Sequence, residues 1–74
     1  MFPTLLAGVR GEDAVAITQQ LNRAYITEEG DLQRMHGAVV EVIVQGALRS
    51  ASASDTTRDT VLAALRTMGI EPTF

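Results

Sequence analysis

Two side chains in this sequence could carry proton chemistry. His36 is the only histidine, and Glu41 sits inside the most hydrophobic run, from Ala38 to Val44. A histidine titrates close to neutral pH and suits a general base or a pH switch. Such a base needs a nucleophile or an orienting group within hydrogen-bond reach. No such partner is recognisable around His36. It falls on an apolar arc near Val40 and Ile43, so it reads as a core or interface histidine bonded to a backbone carbonyl or a carboxylate. Glu41 falls on a polar stripe with Arg34, Gln45 and Arg49, facing water or a partner. The serines and threonines lack a histidine–acid constellation and offer no nucleophile.

Binding chemistry is equally sparse. One histidine and no cysteine leave no zinc-type ligand set. Glu28, Glu29 and Asp31 form an acidic cluster, but a calcium loop needs more oxygen ligands at set spacing. The cluster reads as a solvated helix start. Gly8-Val9-Arg10-Gly11 lacks the preceding strand and the lysine–hydroxyl ending of a phosphate loop. The sequence therefore predicts no catalytic residue, no cofactor and no metal, and a protein that is not an enzyme.

The elements that position these residues read as helices in a single domain over residues 1–74. Pro3 and Thr4 open a short turn through Leu5, Leu6 and Val9, broken by Gly8 and Gly11. A helix runs from about Glu12 to about Thr27. Ala14, Ile17, Leu21, Ala24 and Tyr25 form its buried face, and Glu12, Gln19, Gln20 and Arg23 its wet one. Either Thr27 or Asp31 caps the next helix. The last helix is capped by Ser54 or Asp55 and lined by Val61, Leu62, Leu65 and Met68. Gly69 ends it, Ile70 packs back on Leu65, and Glu71 and Pro72 prevent continuation.

The central segment, Asp31 to Ser52, dominates the reading. At 3.6 residues per turn its apolar arc covers roughly 240°, against the ~100° that a surface helix needs. A strand over Ala38 to Val44 is the alternative, since β-branched residues are frequent there. It would place Glu41 on the same face as Val39 and Ile43 and would lack a partner strand. The helix is preferred. Gly37 and Gly46 would each cost up to ~1 kcal/mol inside it, which points to close approach of another helix. The expected fold is all-α: a small three-helix bundle with a highly apolar central helix and a short N-terminal helical turn.

A chain of 74 residues buries little of its surface and needs a staple. With disulfides and metals absent from the sequence, oligomerisation and packing remain. Self-association through Met35, Val39, Val42, Ile43 and Gly46 is the expected answer. The expected function is a small non-enzymatic protein acting through protein–protein contacts, as a homodimer or higher oligomer. The partner is itself, another protein, or both. A structural or assembly subunit of a larger particle fits the same features. A compact helix-turn-helix DNA-binding regulator is the other alternative. Its second helix would bring Glu28, Glu29 and Asp31 against phosphates, and the net charge is −3. Nucleic acid is therefore not the expected partner.

No segment has the basic start and apolar stretch of a secretory leader, and none reaches the ~20 apolar residues of a membrane span. A cytoplasmic location is expected. All six basic residues are arginine and lysine is absent, a bias of GC-rich codons that suggests a bacterial or phage source.

Overall fold

The computed structural model describes residues 2–70, and the chain stops expected at Glu71 and Pro72 lie outside them. Among the described residues every regular element is helical, and no strand forms. Four helices follow one another: α1 (Gly11–Arg23), α2 (Glu29–Gln33), α3 (Gly37–Ser50) and α4 (Asp55–Thr67). A turn over residues 3–8 precedes them, held by Leu6 N–H to Phe2 O at 3.0 Å. The all-α reading stands; the number of helices is four rather than three.

The extra helix comes from a break in the central segment. The expected helix from Asp31 to Ser52 is divided at Arg34 and Met35, and α3 begins only at Gly37. His36 makes the division. Its backbone is extended, at φ −64° and ψ 136°, and its Nδ1 accepts from the Ala38 N–H at 3.3 Å. A side-chain acceptor on the second free amide is what a helix start requires. Placing His36 at the cap takes it off the apolar arc and leaves it exposed, which corrects the core or interface histidine expected above.

The core forms one cluster to which every element contributes. Phe2 and Leu5 come from the N-terminal turn, Ile17 and Leu21 from α1, and Leu32 from α2. α3 supplies Val40, Val44, Ala47 and Leu48, and α4 supplies Val61 and Leu65. The spacing 40, 44, 47, 48 is one face of a helix, so only part of the wide apolar arc is spent inside. Among the described residues Thr57 is the one buried polar residue, at 5% exposure. Its hydroxyl donates to Asp13 and accepts from Ser54, whose Oγ caps α4 at the Thr57 N–H.

Three of the four helices end in the same way. After α4, Gly69 adopts φ 81°, its N–H reaches Arg66 O at 3.0 Å, and Ile70 N–H reaches Leu65 O at 2.9 Å. This is the expected Schellman ending, with Ile70 buried beside Leu65. α3 repeats it with Ser52 at φ 54° and Ala53 N–H on Leu48 O at 3.0 Å. α1 repeats it with Tyr25 at φ 63° and Ile26 N–H on Leu21 O at 3.0 Å. α1 therefore ends at Arg23, four residues short of the expected Thr27, and starts at Gly11, one residue before the expected Glu12. Ile26 takes the buried place beside Leu21. Tyr25 and Ala24, expected inside, are exposed.

The acidic cluster is used internally. One carboxylate oxygen of Glu29 accepts from Thr4 N–H at 2.6 Å and Leu5 N–H at 2.5 Å, which pins the N-terminal turn to α2. Asp31 accepts from the N–H groups of Thr27 and Glu28 at 3.0 and 3.2 Å and from Arg34 at 2.6 Å. The Thr27 and Glu28 amides, then the Arg34 charge, hold its carboxyl below the ordinary value of 3.8. Arg34 thus belongs to α2 and its cap, not to a stripe on α3.

Candidate interaction surface

The outer face of α3 is built from the residues that the core does not use. At 100° per residue, Val42 lies on the side of α3 opposite the buried row, with Val39 beside it. Val39 is 47% exposed and Val42 65%. Ile43 and Gly46 flank them, half-buried, and Ile43 packs against the core edge. Met35 sits in the turn before α3, half-buried and also against the core. Of the five expected interface residues, four therefore fall on one side of α3, and the fifth lies in the turn that leads into it.

The polar stripe lies elsewhere. Glu41 and Gln45 are half-buried, joined by Gln45 Nε2 donating to Glu41 Oε1 at 3.2 Å. Glu41 shares a small cavity of about 50 Å³ with Gly37, Leu62, Leu65, Arg66 and Ile70. Its Oε2 is buried and has no hydrogen-bond partner among the described residues. The expectation that Glu41 faces water or a partner is thus corrected: it packs toward the end of α4. The physical reason is the width of the apolar arc. Valine on one flank and glutamate on the other compete for cover, and burying Val40, Val44 and Leu48 carries Glu41 inward and Val42 outward.

Two grooves adjoin this architecture. One, of about 290 Å³, lies between α1 and α3. Ala24, Val42, Ile43 and Ala47 wall it, and Gln20 and Ser50 stand at its polar edge. Gly46 opens it: a Cβ added there would meet nothing within 4 Å. Among the described residues nothing outside α3 lies within 4 Å of such a Cβ, so the close approach expected of that glycine is not made by them. The other groove, of about 380 Å³, is bounded by Phe2, Pro3 and Leu6 on the N-terminal turn and by Ala14, Val15 and Thr18 on α1. Val15 is 59% exposed along it.

Tyr25 stands next to Ala24 at the end of α1 and is 92% exposed. The sequence reading missed it as a surface residue because it extended α1 by a turn. The signal that could have found it is the pair Tyr25-Ile26 after Arg23. A buried isoleucine two residues past the C-cap, here Ala24, is the mark of a Schellman ending, and it forces the intervening residue outward.

No group of three or more histidine, cysteine or acidic side chains comes together to hold a metal among the described residues. No described helix is long and apolar enough to cross a membrane. Comparison with family models, with curated proteins and with solved structures finds no match to this chain.

Proposed function

We propose that this chain is a non-enzymatic protein–protein interaction module that self-associates through the outer face of α3. The observation that carries this reading is the exposure of Val39 and Val42 on the most apolar helix of the protein. Two β-branched residues turned to water on such a helix are an incomplete burial, and a second surface completes it. Ile43 and the open space at Gly46 extend the same face. The cysteine-free, arginine-only composition supports a cytoplasmic protein of a bacterium or phage.

Two features weigh against the helix-turn-helix alternative. The element after α1 is the five-residue α2, with Glu29 and Asp31 in its first turn. α3 presents valines where a base-reading helix presents hydrogen-bond donors and acceptors. Sedimentation equilibrium at micromolar concentration tests the reading, and a mass above that of one chain is expected. A gel-shift selection from random DNA tests the alternative. Recovery of a motif bound at about 10⁻⁸ M at physiological salt would put the regulator ahead.

A further inference from the structure

We infer that His36 is an acid-sensitive latch at the junction of α2 and α3. It fastens the first turn of α3 while its imidazole is neutral and releases that turn on protonation. The Nδ1 of His36 accepts from the Ala38 N–H at 3.3 Å, from a backbone extended at φ −64° and ψ 136°. A ring nitrogen accepts only while it carries no proton. A second proton on the ring turns Nδ1 into a donor aimed at another donor, and the Ala38 N–H loses its partner. Histidine is the side chain whose ordinary charge change falls between about pH 5 and pH 8, so this cap is made or lost in that window.

The other three helices start on different terms. α1 carries Glu12 and Asp13 in its first turn, α2 carries Glu29 and Asp31, and α4 carries Asp55 behind the Ser54 cap. Acidic groups there balance the positive end of the helix dipole. α3 has none in its first turn. Among the described residues, the neutral imidazole is the one side-chain acceptor that meets its free amides. Protonation therefore does more than remove a bond, because it also sets a positive charge on the positive end of α3.

The neighbouring charges leave that cost uncompensated. On the α2 side, Arg34 is held by Asp31 at 2.6 Å, and Asp31 is further occupied by the Thr27 and Glu28 amides. On α4, Arg66 borders the same small cavity as Gly37, the residue after His36, and adds a like charge. On α3 itself, Glu41 borders that cavity, with Oε1 held by Gln45 and Oε2 buried, whereas His36 is exposed. α1 borders the other half of α3, where Gln20 and Ala24 meet Val42 to Ser50. Among the described residues no carboxylate pairs with the imidazole. The joint that loosens lies between two fully buried anchors, Leu32 of α2 and Val40 of α3, and it carries Val39 on the outer face.

Thermal melts between about pH 5 and pH 7.5 test the latch with wild type, His36→Asn and His36→Ala. Asparagine caps a helix throughout this range and alanine does not. At about pH 7.5 wild type is expected to melt close to His36→Asn, with His36→Ala about 4–8 °C lower. At about pH 5 wild type is expected to fall to the level of His36→Ala or below it, while the gap between the two variants stays constant. The carboxylates are common to the three chains and cancel in the comparison, and Asp31, held below 3.8, stays ionised throughout. Wild type and His36→Asn running in parallel across the range overturns the latch. So does a His36→Ala chain as stable as wild type at about pH 7.5. NMR of the unsubstituted protein needs no variant: the Ala38 amide proton is expected to move upfield as the ring takes its second proton. An Ala38 amide that ignores the ring titration overturns the latch whatever the melts show.

Discussion

The Thr57 hydroxyl donates to the Asp13 carboxylate at 2.7 Å, joining the first turns of α1 and α4 across forty-four residues of sequence. Among the described residues, Thr57 is the only buried polar side chain in the core. Ser54 donates to the same hydroxyl oxygen at 3.2 Å, so Thr57 is held from both sides. Thr57→Val keeps the shape and leaves Asp13 without its donor. A loss of about 1–3 kcal/mol is expected, because the shielded Asp13 Oδ2 forfeits its hydration as well as its bond, while Oδ1 keeps only the long Arg10 pair at 3.8 Å. Thr57→Ser should retain most of that. Urea unfolding of the two variants beside wild type measures the difference.

Ser52 is the second non-glycine residue in the left-handed region, at φ 54°, and it ends α3 as Gly69 ends α4. Exposed and remote from the α3 outer face in role, it is a site where glycine relieves backbone strain. Ser52→Gly is expected to stabilise the protein by about 0.5–1 kcal/mol, the balance of relieved strain against greater freedom of the unfolded chain. Gly69→Ala should do the reverse, since Gly69 sits at φ 81°. Thermal melts of both single variants show the opposed signs, and a rise of Tm in Gly69→Ala would contradict the account of these endings.

Two valines of α3, Val42 and Val44, should answer differently to a charge. Val44 is fully buried, and Val44→Asp places an unpaired carboxylate in the core. The cost is several kcal/mol, comparable with the whole stability of a domain at about 0.05–0.15 kcal/mol per residue. Val42→Asp lies on the outer face and should leave the helix content intact while abolishing association. Circular dichroism and sedimentation of the pair separate the two effects. Unfolding of Val42→Asp would mean that the outer face is covered within a single chain.

Asp31 gives the protein a predictable acid response. Its folded value lies below 3.8, chiefly because the Thr27 and Glu28 amides bond to the ionised form. Stability from these bonds is fully present above the unfolded value and is lost as pH falls through the lower folded value. Asp31→Asn should therefore lower Tm near neutrality and flatten its fall in acid. Melting curves between about pH 2 and pH 7 test the sign. An equal Tm deficit at every pH would rule out the charge as the cause.

The sequence by itself determined the helical class, a cap for α4 at Ser54 or Asp55, of which the structure uses Ser54, and the glycine ending at Gly69. These are local matters. Apolar spacing of three and four residues selects a helix, and the cap and stop are chosen by residues within one turn of it. Tertiary structure decided three things that local rules leave open. It ended α1 at Arg23, because Ile26 buries beside Leu21 and the chain accepts a strained Tyr25 to place it there. It divided the central segment at His36, because Leu32 on a separate short helix reaches the core while α3 keeps its own start. It also set the rotation of α3. An apolar arc wider than the available cover has several rotations that bury four residues, and the periodicity of α3 alone does not rank them. Packing against α1 and α4 chose the one that turns Glu41 in and Val42 out, and that choice created the surface on which the proposed association rests.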